Sequence, residues 1–317
     1  MSNDVHWLAA ADVRRLLDPV ALRTGLESAM AALSAGEADV PPRIGARAER
    51  GLLGAMPGYL QGVGLAAKLV SIFPGNVGVP SHQGLIALFD HETGRPLAVM
   101  DAEVITEART AMTAAIAADL LARPDAGVLA IVGGGAQARA HVDAFAPIRS
   151  WEAVRVSNRT LAGAERVAAA AEAAGMGPAT VVDHIAAAVG GADVVALCTH
   201  ADRALIERSW VAPGTHVSSV GSMSELPVEL AGAEVVVVEW RDAVAVPPPA
   251  GAAELQGLAP DQVVELGDLI AGRAVGRKRP DQVTVYKSTG HAVQDVAAAR
   301  LVYDAALAAG TGTKLDL

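Results

Sequence analysis

The stretch that most restricts the fold is VLAIVGGGAQARAHV at 128–142. Five apolar residues suited to a buried strand run into three glycines, and the chain passes at once into helix-forming residues. Gly133-Gly134-Gly135-Ala136-Gln137-Ala138 fits the pattern Gly-x-Gly-x-x-Gly/Ala. In a chain with 32 glycines the pattern alone says little; its place between strand and helix gives it meaning. Gly133 permits a tight turn, Gly135 lets a pyrophosphate approach the backbone, and Ala138 keeps helix and strand close. The phosphates then meet free N–H groups and the positive end of the helix dipole. The spacing predicts a dinucleotide-binding unit.

The surrounding sequence agrees. Strand runs VLAIVG, VRVSN, DVVALCT, HVSSVG and EVVVVE alternate with helical runs AQARAHVDAFA, LAGAERVAAAAEAAG and DHIAAAVGG. Such alternation predicts a doubly wound parallel sheet of Rossmann type. VPPPAGAA at 246–253 reads as a loop, with a helix from 260. Earlier, residues 10–35 read as two helices, Asp12 capping the first and Pro19 starting the second. Residues 40–105 hold short apolar runs broken by Gly, Pro, Asn and His, with HETGRP at 91–96 as a turn; they predict an antiparallel or mixed sheet. The alanine-rich helix 106–122 stops at RPD, 123–125. A chain of 317 residues has room for two domains. The expected division is an α/β fold with a Rossmann domain at 123–294 and a discontinuous α+β domain at 1–122 and 295–317, the last helix rejoining the first domain.

The end of the second strand narrows the ligand. A dinucleotide unit commonly places Asp or Glu there, about 20 residues beyond the loop, to hold a ribose hydroxyl. Here the residues are Ser157, Asn158, Arg159 and Thr160. A carboxylate would repel the extra ribose phosphate of NADP, whereas an arginine fork binds it and Asn158 and Thr160 add donors. NADPH is the expected cofactor, and NAD fits less well. The bland alternative makes Arg159 a solvated loop residue and Thr160 a helix cap.

Composition excludes other classes. A net charge of −10 argues against nucleic acid as a partner. No apolar run is long enough to span a membrane, and MSNDVHWLAAADVRR is unlike a signal peptide. Cys198 is the only cysteine, which fits a reducing cytoplasm, and it reads as a buried apolar residue rather than a nucleophile. The eight histidines lack metal-ligand spacing and no Gly-x-Ser-x-Gly occurs, so neither a metal site nor a serine hydrolase is expected.

Several stretches together resemble the ornithine cyclodeaminase/mu-crystallin family: GLLGAMPGY, AAKLVSIFPGN, TGRPLAVMDAEVIT, EARTAMTAA, VGGGAQA, APGTHVSSVGS and KSTGHAVQD, in the family's order along nearly the whole chain. The resemblance implies a two-domain subunit that forms a homodimer, and an activity among cyclodeaminases, alanine dehydrogenases and cyclic ketimine reductases. It implies that Arg43 and Lys68 bind a substrate carboxylate and that Arg109 and Thr110 lie near substrate and cofactor. It assigns Gly133, Gly135, Ala136 and Gln137 to the pyrophosphate, and Thr199, Val220 and Ser288 to the nicotinamide half. Mu-crystallin-like members carry a related Asn-Arg-Thr and use NADPH.

One departure matters. Where cyclodeaminases and alanine dehydrogenases of the family carry an Asp for the substrate amine, this chain reads Gly221-Ser222-Met223. Glu225 follows two residues later, at the wrong spacing. A dry pocket cannot hold the second ammonium of ornithine without an acceptor, and Met223 offers none. A cyclic imine acid needs only a carboxylate clamp, a hydride and a proton, the last from Lys68, His82 or water. His291, at the start of the last helix, has a helix-start explanation. The expected function is NADPH-dependent reduction of pyrroline-2-carboxylate or piperideine-2-carboxylate. The alternatives are an ornithine cyclodeaminase or alanine-type dehydrogenase that manages without the Asp, and a mu-crystallin-like protein that binds NADPH and a small ligand without turnover.

Overall fold

A computed structural model describes residues 4–221 and 224–316. The chain divides into two compact units, one formed by Met1–Arg109 with His291–Leu317 and the other by Thr110–Gly290. The first crossing falls inside the helix Ala102–Leu121, not at the RPD break, and the second four residues before the expected 295. The end of that helix is bonded into the second unit. The Leu121 carbonyl accepts from Arg277 Nε at 2.7 Å and Thr284 Oγ1 at 3.3 Å, and the Ala118 carbonyl from Arg149 Nη2 at 3.4 Å. An unbroken alanine helix carries no sequence mark where its neighbours change.

The first unit is built on an eight-stranded sheet. Its order is Thr313–Asp316, Asp4–Leu8, Pro96–Asp101, His82–Phe89, Gly64–Ile72, Gly51–Leu60, with Ala38–Asp39 and Ile44–Ala48 both on Gly51–Leu60. Asp4–Leu8 and Pro96–Asp101 run parallel and the other pairs antiparallel, so the sheet is mixed. The two strands at the chain ends were not expected from the sequence. Strand residues alternate in burial because helices Pro19–Ser34 and Ala292–Ala309 cover one face. Gly58 lets the last helix sit close, since a Cβ there would stand 3.1 Å from Ala292 Cβ. Pro19 starts the second helix, as expected, and Asp18 before it is the cap, accepting from the Val20 and Ala21 N–H groups. Asp12 lies inside the first helix, three residues after its N-cap Ala9, whose N–H it accepts.

The second unit is an eight-stranded sheet in which every neighbouring pair is parallel. From one edge the order is Ala179–Val181, Ala153–Ser157, Val128–Val132, Val194–Leu197, His216–Ser219, Thr284–Lys287, Val235–Val238, Val264–Glu265. The first strand of the unit lies inside, and successive strands are added first to one side of it and then to the other, which is the doubly wound arrangement. All five strands read from the sequence are present. Ala179–Val181, Val264–Glu265 and Thr284–Lys287 are additional, and the helix expected from 260 is a short 3-10 turn, Pro260–Gln262, then a strand and the helix Leu266–Ile270. Apolar residues pack on the sheet, among them Val132, Val195, Leu197, Val217 and Val285 in one cluster and Val236, Val238, Val244 and Leu255 in another. Among the described residues no helix is long and apolar enough to cross a membrane.

Gly133 has φ +136°, and a Cβ there would stand 2.6 Å from the Cys198 carbonyl oxygen, a backbone atom that cannot swing aside. Gly133→Ala should lower stability by at least roughly 1–3 kcal/mol through that strain. Urea midpoints of the two proteins measure it.

Candidate active site

Lys68 lies in a row of side chains crossing four strands in register: Met56, Lys68, Ile86 and Met100. All four are buried on the helix-covered face, and Lys68 is 4% exposed. An ammonium placed among apolar neighbours must find a counter-charge. It meets Asp295 of the last helix, Nζ to Oδ2 at 2.8 Å. Asp295 Oδ1 in turn accepts from Arg109 Nε at 3.1 Å, and Arg109 Nη1 donates to Gln294 Oε1 at 3.0 Å. Gln294 Oε1 also accepts the His291 N–H at 3.1 Å, so one amide closes the helix start and steadies Arg109.

Two cations therefore share one buried carboxylate. Burial pulls the Lys68 ammonium down to about 8, with the Arg109 and Arg43 charges acting the same way and Asp295 opposing them. Burial alone would raise the Asp295 carboxyl, but the Lys68 and Arg109 charges outweigh it and hold the group below its ordinary range. Arg43, half-buried just before the strand Ile44–Ala48, is thus within electrostatic reach of Lys68. His82 is placed differently. It faces Ile72, whereas Lys68 faces Ile86, four positions away or about 13 Å along a strand; its Nδ1 lies 3.1 Å from Ser81 Oγ. Asp295 and Gln294 were not singled out in the sequence. Their signal was an acid and an amide side by side in an otherwise alanine-rich helix.

In the second unit the glycine loop has the shape expected. Gly135 is the N-cap of the helix Ala136–Phe145, and no atom lies within 4 Å of the place its Cβ would take. The exposed Gly135 and Ala136 put the first-turn N–H groups of that helix, Gln137 among them, beside open space, which suits a pyrophosphate. These residues therefore fit a dinucleotide. Asn158 is turned inward. Its Nδ2 donates to the Thr160 carbonyl at 3.1 Å and Thr160 Oγ1 at 3.0 Å, and a Cβ on Gly134 or Gly163 would strike it at 2.4 or 2.3 Å. The amide locks the turn instead of offering those hydrogens to a ligand. Thr160 is the N-cap residue of the helix Leu161–Ala173, and Arg159 beside it is exposed, with no ion-pair partner among the described residues.

The other carboxyl ends of the strands are held by buried carboxylates. Glu225 accepts from Thr199 N–H at 3.0 Å, Thr199 Oγ1 at 2.6 Å, Ser219 Oγ at 3.0 Å and Gly221 N–H at 2.6 Å. These donors fill it and it ties two strand ends together, so Glu225 does not replace the acid missing at Gly221-Ser222-Met223. Val220 is half-buried between them, its N–H on the Leu197 carbonyl. Ser288 donates to Glu239 Oε1 at 2.5 Å. Thr110 is buried in the helix Ala102–Leu121. Met223 lies outside the described residues. Among those described, no group of three or more His, Cys, Asp or Glu is placed to hold a metal.

Removing the Asp295 charge should be costly, because it strands two buried cations. Asp295→Asn should lose roughly 3–5 kcal/mol of stability at pH 7. Lys68 titrates at about 8 in the fold against an ordinary 10.5. Between these values the unfolded chain holds more protons, so stability rises with pH. Without the Asp295 charge to oppose burial, Lys68 sheds its proton at a lower pH in the variant than in the wild type, so the deficit should narrow as pH rises toward about 8 and stay constant above it, where Lys68 is neutral in both folded proteins. Denaturant midpoints at pH 7 and above 8 check both parts; a deficit independent of pH would contradict the pairing.

Comparison with known proteins places these features in a family. The model of the ornithine cyclodeaminase/mu-crystallin family matches residues 3–310. The ketimine reductase mu-crystallin of Mus musculus is 40% identical over 262 residues, 80% of each chain. The structure of Thermococcus litoralis Delta(1)-pyrroline-2-carboxylate reductase in complex with NADH and L-proline is 29% identical, with a TM-score of 0.89 over 98% of this chain and 100% of that one. An archaeal alanine dehydrogenase dimer with bound NAD is 30% identical, with a TM-score of 0.88 over 98% and 99%. With the glycine loop, the parallel sheet and an unbroken match across both units, this chain belongs to the ornithine cyclodeaminase/mu-crystallin family.

Proposed function

We propose that the protein is an NADPH-dependent reductase of small cyclic imine acids, turning pyrroline-2-carboxylate or piperideine-2-carboxylate into the cyclic amino acid. The observation that carries this reading is the Lys68–Asp295–Arg109 cluster. Lys68 feels one carboxylate and two guanidiniums, those of Arg109 and Arg43. The positive balance at Lys68 favours a substrate carboxylate, and an arginine fork binds a carboxylate with directed, charge-assisted bonds. The names of the mouse and Thermococcus relatives point to the same substrate class. The absence of an acid at Gly221-Ser222-Met223 favours a substrate with one nitrogen over a diamine.

A bound reduced nicotinamide supplies the hydride for the imine carbon. The protein's part is to hold the acid and to deliver one proton to the nitrogen. With its ammonium near 8, Lys68 is charged at neutral pH and yet close to giving its proton up, the condition for a general acid. Asp295 fixes Nζ in place, and Arg109 keeps a positive charge on the carboxylate after the proton has left. Gly133, Gly135, Ala136 and Gln137 hold the pyrophosphate, and Arg159 takes the ribose phosphate. The homodimer is part of the proposal. Trp7, Leu53 and Leu65 leave the other face of the first unit's sheet apolar and exposed, and the archaeal relative is a dimer. The proposed compartment is the cytoplasm, which keeps the one thiol, Cys198, reduced.

NADPH oxidation with both imine acids, beside ammonia release from ornithine with NAD, tests the reaction. Imine-dependent oxidation is expected; ammonia release would identify a cyclodeaminase, and no turnover with either a binding protein. Lys68→Met should lower kcat/KM by about 10²–10⁴-fold while cofactor affinity holds. The kcat/KM of the wild type should fall as pH rises through about 8, when Lys68 loses its proton, and a flat profile would exclude Lys68 as the acid. Arg159→Asp should weaken NADPH by roughly 10–100-fold, the worth of one or two charge-assisted bonds, and leave NADH little changed. Equal loss of both would remove the phosphate assignment.

A further inference from the structure

The second unit buries a charge cluster that the proposed reaction leaves unused. Lys287, 1% exposed, donates through Nζ to Ser219 Oγ at 3.1 Å, the Gly221 carbonyl at 2.7 Å and Glu254 Oε1 at 2.9 Å. Ser219 Oγ passes its own hydrogen to Glu225. One ammonium thus lies among two carboxylates, Glu225 at 0% and Glu254 at 6% exposure, and these three groups sum to one negative charge. Glu254 Oε1 also accepts the Leu226 N–H at 3.3 Å, while its Oε2 is buried with no hydrogen-bond partner among the described residues. The field of Glu225 is felt nearby: burial first, and then this carboxylate, push the Cys198 thiol well up.

The sheet order gives the cluster an address. The glycine loop follows Val128–Val132, and Ser157–Thr160 follow the strand on one side of it. A dinucleotide lies across the carboxyl ends of the strands with its two halves on opposite sides of the first strand. If the ribose phosphate takes the Ser157 side, the nicotinamide half takes the ends of Val194–Leu197, His216–Ser219 and Thr284–Lys287. Thr199, Ser219, Gly221 and Lys287, which the cluster binds, stand at those ends.

Loss of a hydride turns the neutral dihydropyridine ring into a pyridinium cation, so positive charge develops on the ring as the imine carbon gains the hydride. We infer that Glu225 and Glu254, set against the single charge of Lys287, supply a fixed negative field that favours the oxidised nicotinamide and so assists hydride donation. This rests on the reading of the second unit as the holder of a nicotinamide dinucleotide, and not on which imine is reduced.

The test is equilibrium binding of NADP⁺ and NADPH to the full chain, by titration calorimetry, in wild type, Glu254→Gln and Glu225→Gln. Glu254→Gln keeps the Oε1 acceptor for Lys287 and Leu226 and removes only the charge. It should raise the ratio of the NADP⁺ to the NADPH dissociation constant about tenfold, the effect of one partly screened buried charge. Glu225→Gln should move the ratio the same way. If it does not fold, Glu254→Gln decides alone. A ratio within about twofold of wild type in Glu254→Gln would overturn the inference, since a purely structural role would weaken both forms together. Failure of the wild type to bind either form, or NAD⁺ and NADH in their place, would instead overturn the reading of the unit itself.

Discussion

The constraint behind the first unit is that an ammonium has been placed in the middle of a sheet. Taking such a charge out of water costs several kcal/mol even after relaxation. Lys68 in its row with Met56, Ile86 and Met100 meets that cost only because Asp295 arrives from the far end of the chain. The last helix must therefore return to the first unit and sit close on the sheet, which Gly58 and Ala292 permit. Arg109 then shares the same carboxylate, and Gln294 orients it from the same helix. The buried ion-pair cluster and the return of the last helix thus go together.

Two buried carboxylates of the second unit are held by another route. Glu225 is satisfied by four neutral donors, and Glu239 likewise accepts from Tyr286 Oη, Ser288 Oγ and the N–H groups of Thr289 and Gly290. Each carboxylate ties together strand ends that a ligand-binding edge would otherwise leave with loose polar groups. Both carboxylates are thus oriented by the protein's own donors, the preorganisation that the inferred electrostatic assistance needs.

The parts of this design visible in the sequence were those with a local cause. Gly133 was legible because its conformation and its closeness to Cys198 admit no side chain, and the long apolar strands announced themselves by alternation with helices. Two- and three-residue strands such as Val264–Glu265 and Ala179–Val181 are too short to show a period. The division inside Ala102–Leu121 left no mark because the helix itself does not break there. Asp295 was missed for a similar reason. An acid in the first turn of a helix has an ordinary explanation in the helix dipole, and its partners Lys68 and Arg109 lie far away in sequence. Asn158 was read as a ligand donor, but the crowding of Gly134 and Gly163 around it makes it a clamp on the turn.

The central claim is that Lys68, Arg109 and Asp295 form a receptor for a carboxylate on a small ring. Its most direct test is binding of L-proline and of pyrrolidine, which lacks the carboxylate, to protein saturated with NADP⁺, by titration calorimetry. L-Proline should bind at least about 100-fold more tightly, as two charge-assisted contacts of about 1.5 kcal/mol each imply. Equal affinity for the two rings would contradict the account.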